Sequence, residues 1–296
     1  MTNRHRNIFW RAVLLGPALL VFTVFVVWPL IDSFRYSVTD WNGLTSEPKF
    51  VGLANFVRIF TDPVFFRALA NSAIWIVAAL VLPTLLGLVL ALLLNVGLPG
   101  SRIFKSIFYL PICLSAIVVG QIWIWIYQPG WGLLDSGLAY LLGVRRFNFA
   151  WLAEPSTALG SVIVAWSWQQ TGLAMVIFLA GLTSVPRDVL EAADVDGVSR
   201  WKQTLHIVLP MLRPATVVVV ALSMISALKS FDILYVMTGG GPFHSSITLA
   251  FLMYEESFKK YRMGYGSAIS VVLFLIALSI IFVYFRQLKK IDDIYD

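Results

Sequence analysis

Residues 12–31, 68–101, 106–134, 155–186 and 263–285 contain no acidic or basic side chain, and each run is bounded by charge on both sides. A hydrocarbon core about 30 Å thick takes roughly 20 apolar residues of helix to cross, so five runs of that length commit the chain to a lipid bilayer. Composition agrees. Only 13% of the residues are charged, about half the share of a globular domain, and the mean hydropathy is +0.82. The formal charge of +6 then marks cytoplasmic loops rather than a nucleic-acid footprint, and no nucleic-acid partner is expected. The single cysteine, Cys113, excludes an internal disulfide and a Cys-rich metal site.

The first run follows a basic start of Arg4, Arg6 and Arg11, as a signal peptide would. It is long for such a core, and no small-x-small cleavage site follows at residues 28–32; it reads as a retained span. A further apolar run, 214–228, covers only about 22 Å at ~1.5 Å per residue. Crossing there requires the helix to continue through Lys229 and Asp232 to Met237, before Thr238, Gly239, Gly240, Gly241 and Pro242 end it. The expectation is an all-α integral membrane protein with six transmembrane helices near residues 12–31, 69–94, 106–127, 157–182, 215–237 and 263–285, forming a single domain over 1–296.

Six spans put both termini on one side of the membrane, together with segments 97–105 and 187–213. These segments hold 12 of the 22 Lys and Arg in compact stretches, so the positive-inside rule places the termini in the cytoplasm. The 32–67 segment, with its Asn42-Gly43 turn and Pro48, is then external.

The cytoplasmic segment between spans four and five is polar enough to leave the bilayer and apolar enough to dock. Residues 187–196 are good helix formers after Pro186, with Val189, Leu190 and Ala193 on one face. Gly197 permits a bend into a second short helix carrying Trp201 and Leu205.

Within it, Glu191-Ala192-Ala193, Gly197, Ile207 and Leu209-Pro210 match the pattern EAA-x3-G-x9-I-x-L-P. Seven such positions coincide by chance on the order of once in 10⁸ starts at ordinary residue usage. The segment resembles the EAA loop of permease subunits in binding-protein-dependent ABC importers. Tyr109-Leu-Pro111, Ala180-Gly-Leu182 with Pro186, and the stretch from Ser230 through Asp232 to Pro242 are similar to the carbohydrate-type branch, whose members serve maltose and glycerol phosphate. The chain is similar to the shorter members, without the extra helices and large external domain of the maltose permease.

The resemblance implies a type I ABC importer permease fold. It implies that Glu191, Ala192, Ala193, Asp194, Gly197, Ile207, Leu209 and Pro210 form a coupling helix and its support, seated in a groove of a separate ATPase. It further implies a heterodimer with a second permease, an ATPase dimer that binds ATP and Mg, an extracytoplasmic solute-binding protein, and a bacterial or archaeal inner membrane. The transported solute would be a sugar, a polyol or a glycerol-phosphate-like compound, moved by alternating access.

The chain has no cofactor site of its own in this reading, and it is not expected to be an enzyme. No Lys follows a Gly, so the phosphate-binding Gly-Lys-Ser/Thr is absent. The three histidines, His5, His206 and His244, form no His-Glu-x-x-His, and there is no Gly-x-Ser-x-Gly elbow. An ion-gradient-driven transporter or channel is the alternative. It needs a titratable relay, for which Lys229 and Asp232 are the available pair.

Charges inside a span are costly and point to function by default. Lys229 and Asp232, three apart, would share one helix face, either as a structural pair or, with Ser230, as the lining of a wet cavity. Span four carries Trp166, Ser167, Trp168, Gln169, Gln170 and Thr171, and span three carries Gln121, Trp123, Trp125 and Tyr127. Amides beside aromatic faces suit a sugar's hydroxyls and C–H faces; the same groups also join membrane helices to one another. Both readings stay open for Gln121, Trp168, Gln169, Gln170 and Thr171. Gly239-Gly240-Gly241-Pro242 reads as a helix-ending turn supporting an external gate or a docked binding protein.

Overall fold

The computed structural model describes residues 3–95 and 100–292. The side chains of Arg4, Arg6 and Arg11, and residues 97–99 of the expected 97–105 turn, lie outside what is described. Apart from one antiparallel bridge, Thr39 to Phe50, the described residues form helices and turns. The helices are α1 (Asn3–Phe22), α2 (Trp28–Ser37), α3 (Ala54–Ile59), α4 (Pro63–Leu94), α5 (Ser101–Tyr109), α6 (Ala116–Ile126), α7 (Leu133–Leu142), α8 (Ala158–Thr183), α9 (Arg187–Val195), α10 (Arg200–Gln203), α11 (Leu209–Met211), α12 (Arg213–Leu228), α13 (Asp232–Met237), α14 (Leu249–Tyr254) and α15 (Met263–Asp292).

Four segments are long and apolar enough to cross a membrane: Val13–Ser37, Pro63–Leu94, Ala158–Thr183 and Met263–Tyr284. Two more qualify only as bent pairs, Ser101–Cys113 with Ala116–Ile126 at 108° and Arg200–Met211 with Arg213–Leu228 at 65°. The unbroken helix that one span at 106–127 implies is therefore corrected, while the span itself is not contradicted. Pro111 brings no backbone N–H, Leu114 and Ser115 are extended, and the Ser115 hydroxyl caps the restart of α6 by accepting from the Val118 N–H. The continuous helix expected over 215–237 is corrected too. α12 stops at Leu228, and α13 starts afresh at Asp232.

The chain divides into two compact units, Met1–Phe66 with Leu252–Asp296, and Arg67–Phe251. In the first, α2 packs along α15, with Phe34 edge-on to Phe274 at 5.9 Å. The segment after α2 is fastened by its polar side chains. Asn55 donates to the carbonyls of Ser37 and Thr39, Tyr265 donates to Asp62 at 2.8 Å, and the Gly264 N–H donates to the Trp41 carbonyl. Buried Glu256 is paired with Lys260 at 2.8 Å and Arg262 at 3.3 Å.

In the second unit α8 is the central helix, with neighbours on several sides as expected for a helix apolar all round. Small residues bring backbones together. A Cβ on Gly87 would stand 2.5 Å from Ala174 Cβ, and one on Gly181 would stand 2.9 Å from Leu212 and Ala215. Leu94 of α4, Met175, Phe178 and Leu182 of α8, and Val208 and Leu212 beside α11 share one apolar core. The loop after α13 is pinned to α4, where Asn71 donates to the Ser245 and Ile247 carbonyls.

Asp135 on α7 is 1% exposed and closes the turn between α6 and α8. It accepts from the N–H groups of Gly130 and Phe149 at 2.8 and 3.0 Å, and from the Trp151 indole at 2.7 Å. Burial pushes its carboxyl up, but these donors outweigh burial and hold it below its ordinary range. The clamp therefore holds fully above about pH 4, the unfolded range, and is lost as pH falls through the lower folded value. Asp135→Asn should loosen residues 128–157 by about 1–3 kcal/mol at neutral pH. Protection factors in that segment, corrected for the intrinsic slowing of amide exchange at low pH, should fall on acidification in the wild type and stay unchanged in the variant.

Candidate coupling loop and polar path

α9 begins after extended Pro186 and ends in a Schellman arrangement. Gly197 has φ +71°, its N–H donates to the Asp194 carbonyl, and the Val198 N–H donates to the Ala193 carbonyl at 3.0 Å. The left-handed residue is what turns the chain back toward α10. Gln203, almost fully buried, donates both to Asp194 Oδ1 at 2.6 Å and to the Val198 carbonyl at 2.9 Å, while Arg200 pairs with Asp194 Oδ2 at 3.1 Å. Asp194 thus ties α9 to α10.

The helix has an inner and an outer face. Leu190 packs against the core shared by α4 and α8, and Ala193 is 6% exposed. Asp188, Glu191, Ala192 and Val195, spaced as one stripe, are exposed, and Val195 reaches 87%. Val189, expected on the inner face, is exposed instead. Only Ala192 of the two alanines is free to meet a partner. After α10 a π-helical turn, Thr204–Val208, leads into α11. Ile207 is half-buried and Leu209 touches the apolar core, while Pro210 lies in the first turn of α11, where its missing N–H is tolerated. These later motif positions anchor the loop, and Glu191 and Ala192 face outward from it. His206 is exposed, with Nδ1 3.1 Å from the Lys202 carbonyl.

The polar residues of α8 separate into two groups. Gln169 is buried, and its amide donates to the Leu114 carbonyl at 2.8 Å, the group set free by the bend before α6. The Thr171 hydroxyl donates to the Ser167 carbonyl one turn back. Both are spent on the fold. Trp168 is exposed, edge-on to Trp123 at 5.9 Å, and Gln170 is half-buried. Trp168 and Thr171 border a largely apolar cavity of 410 Å³ with Trp123, Phe108 and Leu86. Gln121 on α6 is exposed.

Lys229, Ser230 and Asp232 sit at the break between α12 and α13 rather than on one helix face. Ser230 donates its hydroxyl to the Ser226 carbonyl at 2.8 Å, and Phe231 packs against Tyr235 and Phe251 at 5.5 and 5.6 Å. Asp232 starts α13, where a carboxylate offsets the helix dipole. Both charges are exposed, and among the described residues no ion pair joins them. Gln203 and Asp135 were not singled out from the sequence; each is one polar residue whose role appears only with its distant partners. Among the described residues no group of His, Cys, Asp and Glu is placed to hold a metal ion.

Residues 83–291 match the family described as the binding-protein-dependent transport system inner membrane component. The chain belongs to this family. Over 90% of its length it is 37% identical to a probable ABC transporter permease protein of Pyrococcus horikoshii, covering 91% of that protein. It is 30% identical to the probable starch degradation products transport system permease protein of Thermoanaerobacterium thermosulfurigenes, covering 97% of both chains. It is also 34% identical to the trehalose/maltose transport system permease protein of Thermococcus litoralis, covering 91% of this chain and 90% of that one. A subunit of a bacterial alginate ABC transporter, crystallised with an alginate-bound periplasmic protein, shares the fold with a TM-score of 0.84 at 22% identity, over 97% of this chain and 96% of that one. The permease is thus an all-helical, multi-pass membrane component of an ABC transport system.

Proposed function

We propose that this permease imports a carbohydrate, with a polyol or glycerol-phosphate-like solute as the nearest variants, by alternating access driven by a separate ATPase. Relatives named for starch degradation products and for trehalose/maltose support the substrate class. In this reading the bent pair Ser101–Cys113 with Ala116–Ile126 counts as one crossing and α12 with α13 as another, giving six spans in one permease domain with both termini in the cytoplasm. Segment 187–213 docks on the ATPase, which binds the ATP and Mg; this chain contributes no nucleotide or metal ligand and no catalysis of its own. A second permease completes a heterodimer, two ATPase copies sit below it, and an extracytoplasmic binding protein delivers the solute.

The observation that carries the coupling role is the exposed stripe of Asp188, Glu191, Ala192 and Val195 on a helix whose opposite face is fixed to the α4–α8 core. Glu191 offers a carboxylate to a basic group on the partner, and Ala192 permits close approach. Uptake of a labelled maltooligosaccharide by proteoliposomes holding the co-expressed complex tests the reading. It should require internal ATP and the ATPase, and uptake by this chain without the ATPase would overturn it.

Trp168 and Gln169 separate recognition from folding. Trp168→Ala should raise the KM for uptake roughly threefold to tenfold, the worth of one aromatic contact, at unchanged protein level. Gln169→Leu should orphan the Leu114 carbonyl at a cost of about 1–3 kcal/mol. It should lower the yield of folded complex while leaving KM where it was.

A further inference from the structure

α7 packs against α6 in the connection to α8 and, at 10 residues, is too short to cross a membrane. Asp135 and Ala139 turn inward, while Leu133, Tyr140 and Leu141 point out, the last two 87% and 78% exposed. Trp131 stands exposed just ahead of them. Two apolar grooves of 560 and 410 Å³ run beneath the helix. Leu134 and Leu138 border both grooves, as does Trp123; Trp151 lines the first and Trp168 the second. Both volumes fall in the range of true ligand sites, about 300–1,000 Å³.

Positive charge stands beyond the end of α7. The chain turns at Gly143, φ +66°, into exposed Arg145 and Arg146. The Arg146 guanidinium lies over Gly130, where an added Cβ would come 2.8 Å from its nitrogen, three residues after the groove-lining Tyr127. Asp135 is consumed by its three donors. Glu154 is then the one exposed acid in 128–157 against two arginines. Interfacial aromatic rings and basic side chains near the membrane surface favour anionic lipid headgroups, and the two apolar grooves beside them offer room for acyl chains.

We propose that these grooves hold the two acyl chains of one anionic phospholipid whose headgroup pairs with Arg145 and Arg146. The site rests on reading α6 and α8 as membrane helices, and it needs neither ATP nor solute, so its test is independent of transport.

The complex, purified with its co-expressed partners, would be reconstituted in phosphatidylcholine vesicles doped with chain-brominated phosphatidylglycerol or chain-brominated phosphatidylcholine. The fluorescence lost on Trp123→Phe isolates a tryptophan that borders both grooves and the neighbouring cavity of Trp168 and Phe108, so the groove-filling Gly137→Phe variant assigns the quenching to the grooves. That component should be quenched about fivefold more effectively by the anionic lipid, the preference one net positive charge at a membrane surface confers. Arg145→Gln with Arg146→Gln, which leaves Glu154 as the exposed charge, should bring the ratio to one or below, and Gly137→Phe, with open space around its Cβ, should reduce quenching by both lipids. Equal quenching in the wild type, a ratio unmoved by the arginine substitutions, or no quenching by either lipid would each overturn the proposal; the last would mean that protein covers the grooves. Native mass spectrometry of the surface-only arginine variant provides a second readout, with loss of co-purified phosphatidylglycerol expected and its retention fatal.

Discussion

Gly197→Val is expected to reduce ATP-driven uptake by roughly tenfold or more while the complex still reaches the membrane. The reason is backbone geometry alone. Nothing lies within 4 Å of a Cβ built on Gly197, so no packing contact is lost or gained, but φ is +71°. An L-residue in that region costs about 1–2 kcal/mol, and a β-branched one is a true outlier there. Relieving the strain means unwinding the turn that returns the N–H groups of Gly197 and Val198 to the last turn of α9. The helix bearing Glu191 and Ala192 would then lose its fixed direction relative to α10. Substitutions should grade accordingly: Asn, which tolerates the left-handed region, nearest to wild type, Asp next, and Val worst. Uptake and ATP hydrolysis should also separate, with hydrolysis persisting when transport is lost. A Val variant that transports normally would show that the turn is not part of the coupling device.

The long spans were legible because charge marks the ends of their apolar runs: Arg67, one turn inside α4, and Arg102 beyond it bound the first, and Glu154 and Arg187 bracket α8. The two breaks were not. Pro111 alone does not mark a corner within a helix, and the extended backbone at Leu114, held by Gln169 from 55 positions along the chain, goes with the 108° bend. At 229–231 the need for membrane-spanning length argued for continuity. The chain breaks because Phe231 packs on Phe251 and Ser230 satisfies the Ser226 carbonyl, and the first of these contacts is invisible in local pattern. The seven-position motif located the candidate coupling segment without revealing which residues turn inward. Ala193 and Leu209 contact their own domain, and that division requires knowing where the α4–α8 core lies. Gln203 and Asp135 left no trace in the sequence, since a single buried amide or carboxylate has no periodicity to read.

Gly172→Ala should be among the most damaging small substitutions in the chain, and its harm can be separated from ordinary helix effects. A Cβ at Gly172 would run into the Phe108 carbonyl oxygen and stand 2.9 Å from Tyr109 Cα. Both are backbone atoms of α5, which cannot yield as a side-chain tip would. The neighbouring Leu110–Cys113 turn leads directly to the bend that Gln169 holds. Overpacking of this kind costs about 1–3 kcal/mol even where neighbours can adjust, and here the shift would pass into a corner already fixed by a buried hydrogen bond. Gly160 lies on the same helix with nothing within 4 Å of its Cβ. Gly160→Ala should therefore be neutral or stabilising by up to about 1 kcal/mol through helix propensity. Thermal unfolding of the purified complex should show Gly172→Ala well below wild type and Gly160→Ala at or above it. Equal behaviour of the two variants would mean that α5 and α8 are not in backbone contact. The same comparison bears on function, because α8 carries Trp168 and leads into α9. A displaced α5 would misplace Trp168, the proposed recognition residue, directly, and with it the segment through which the ATPase is proposed to act.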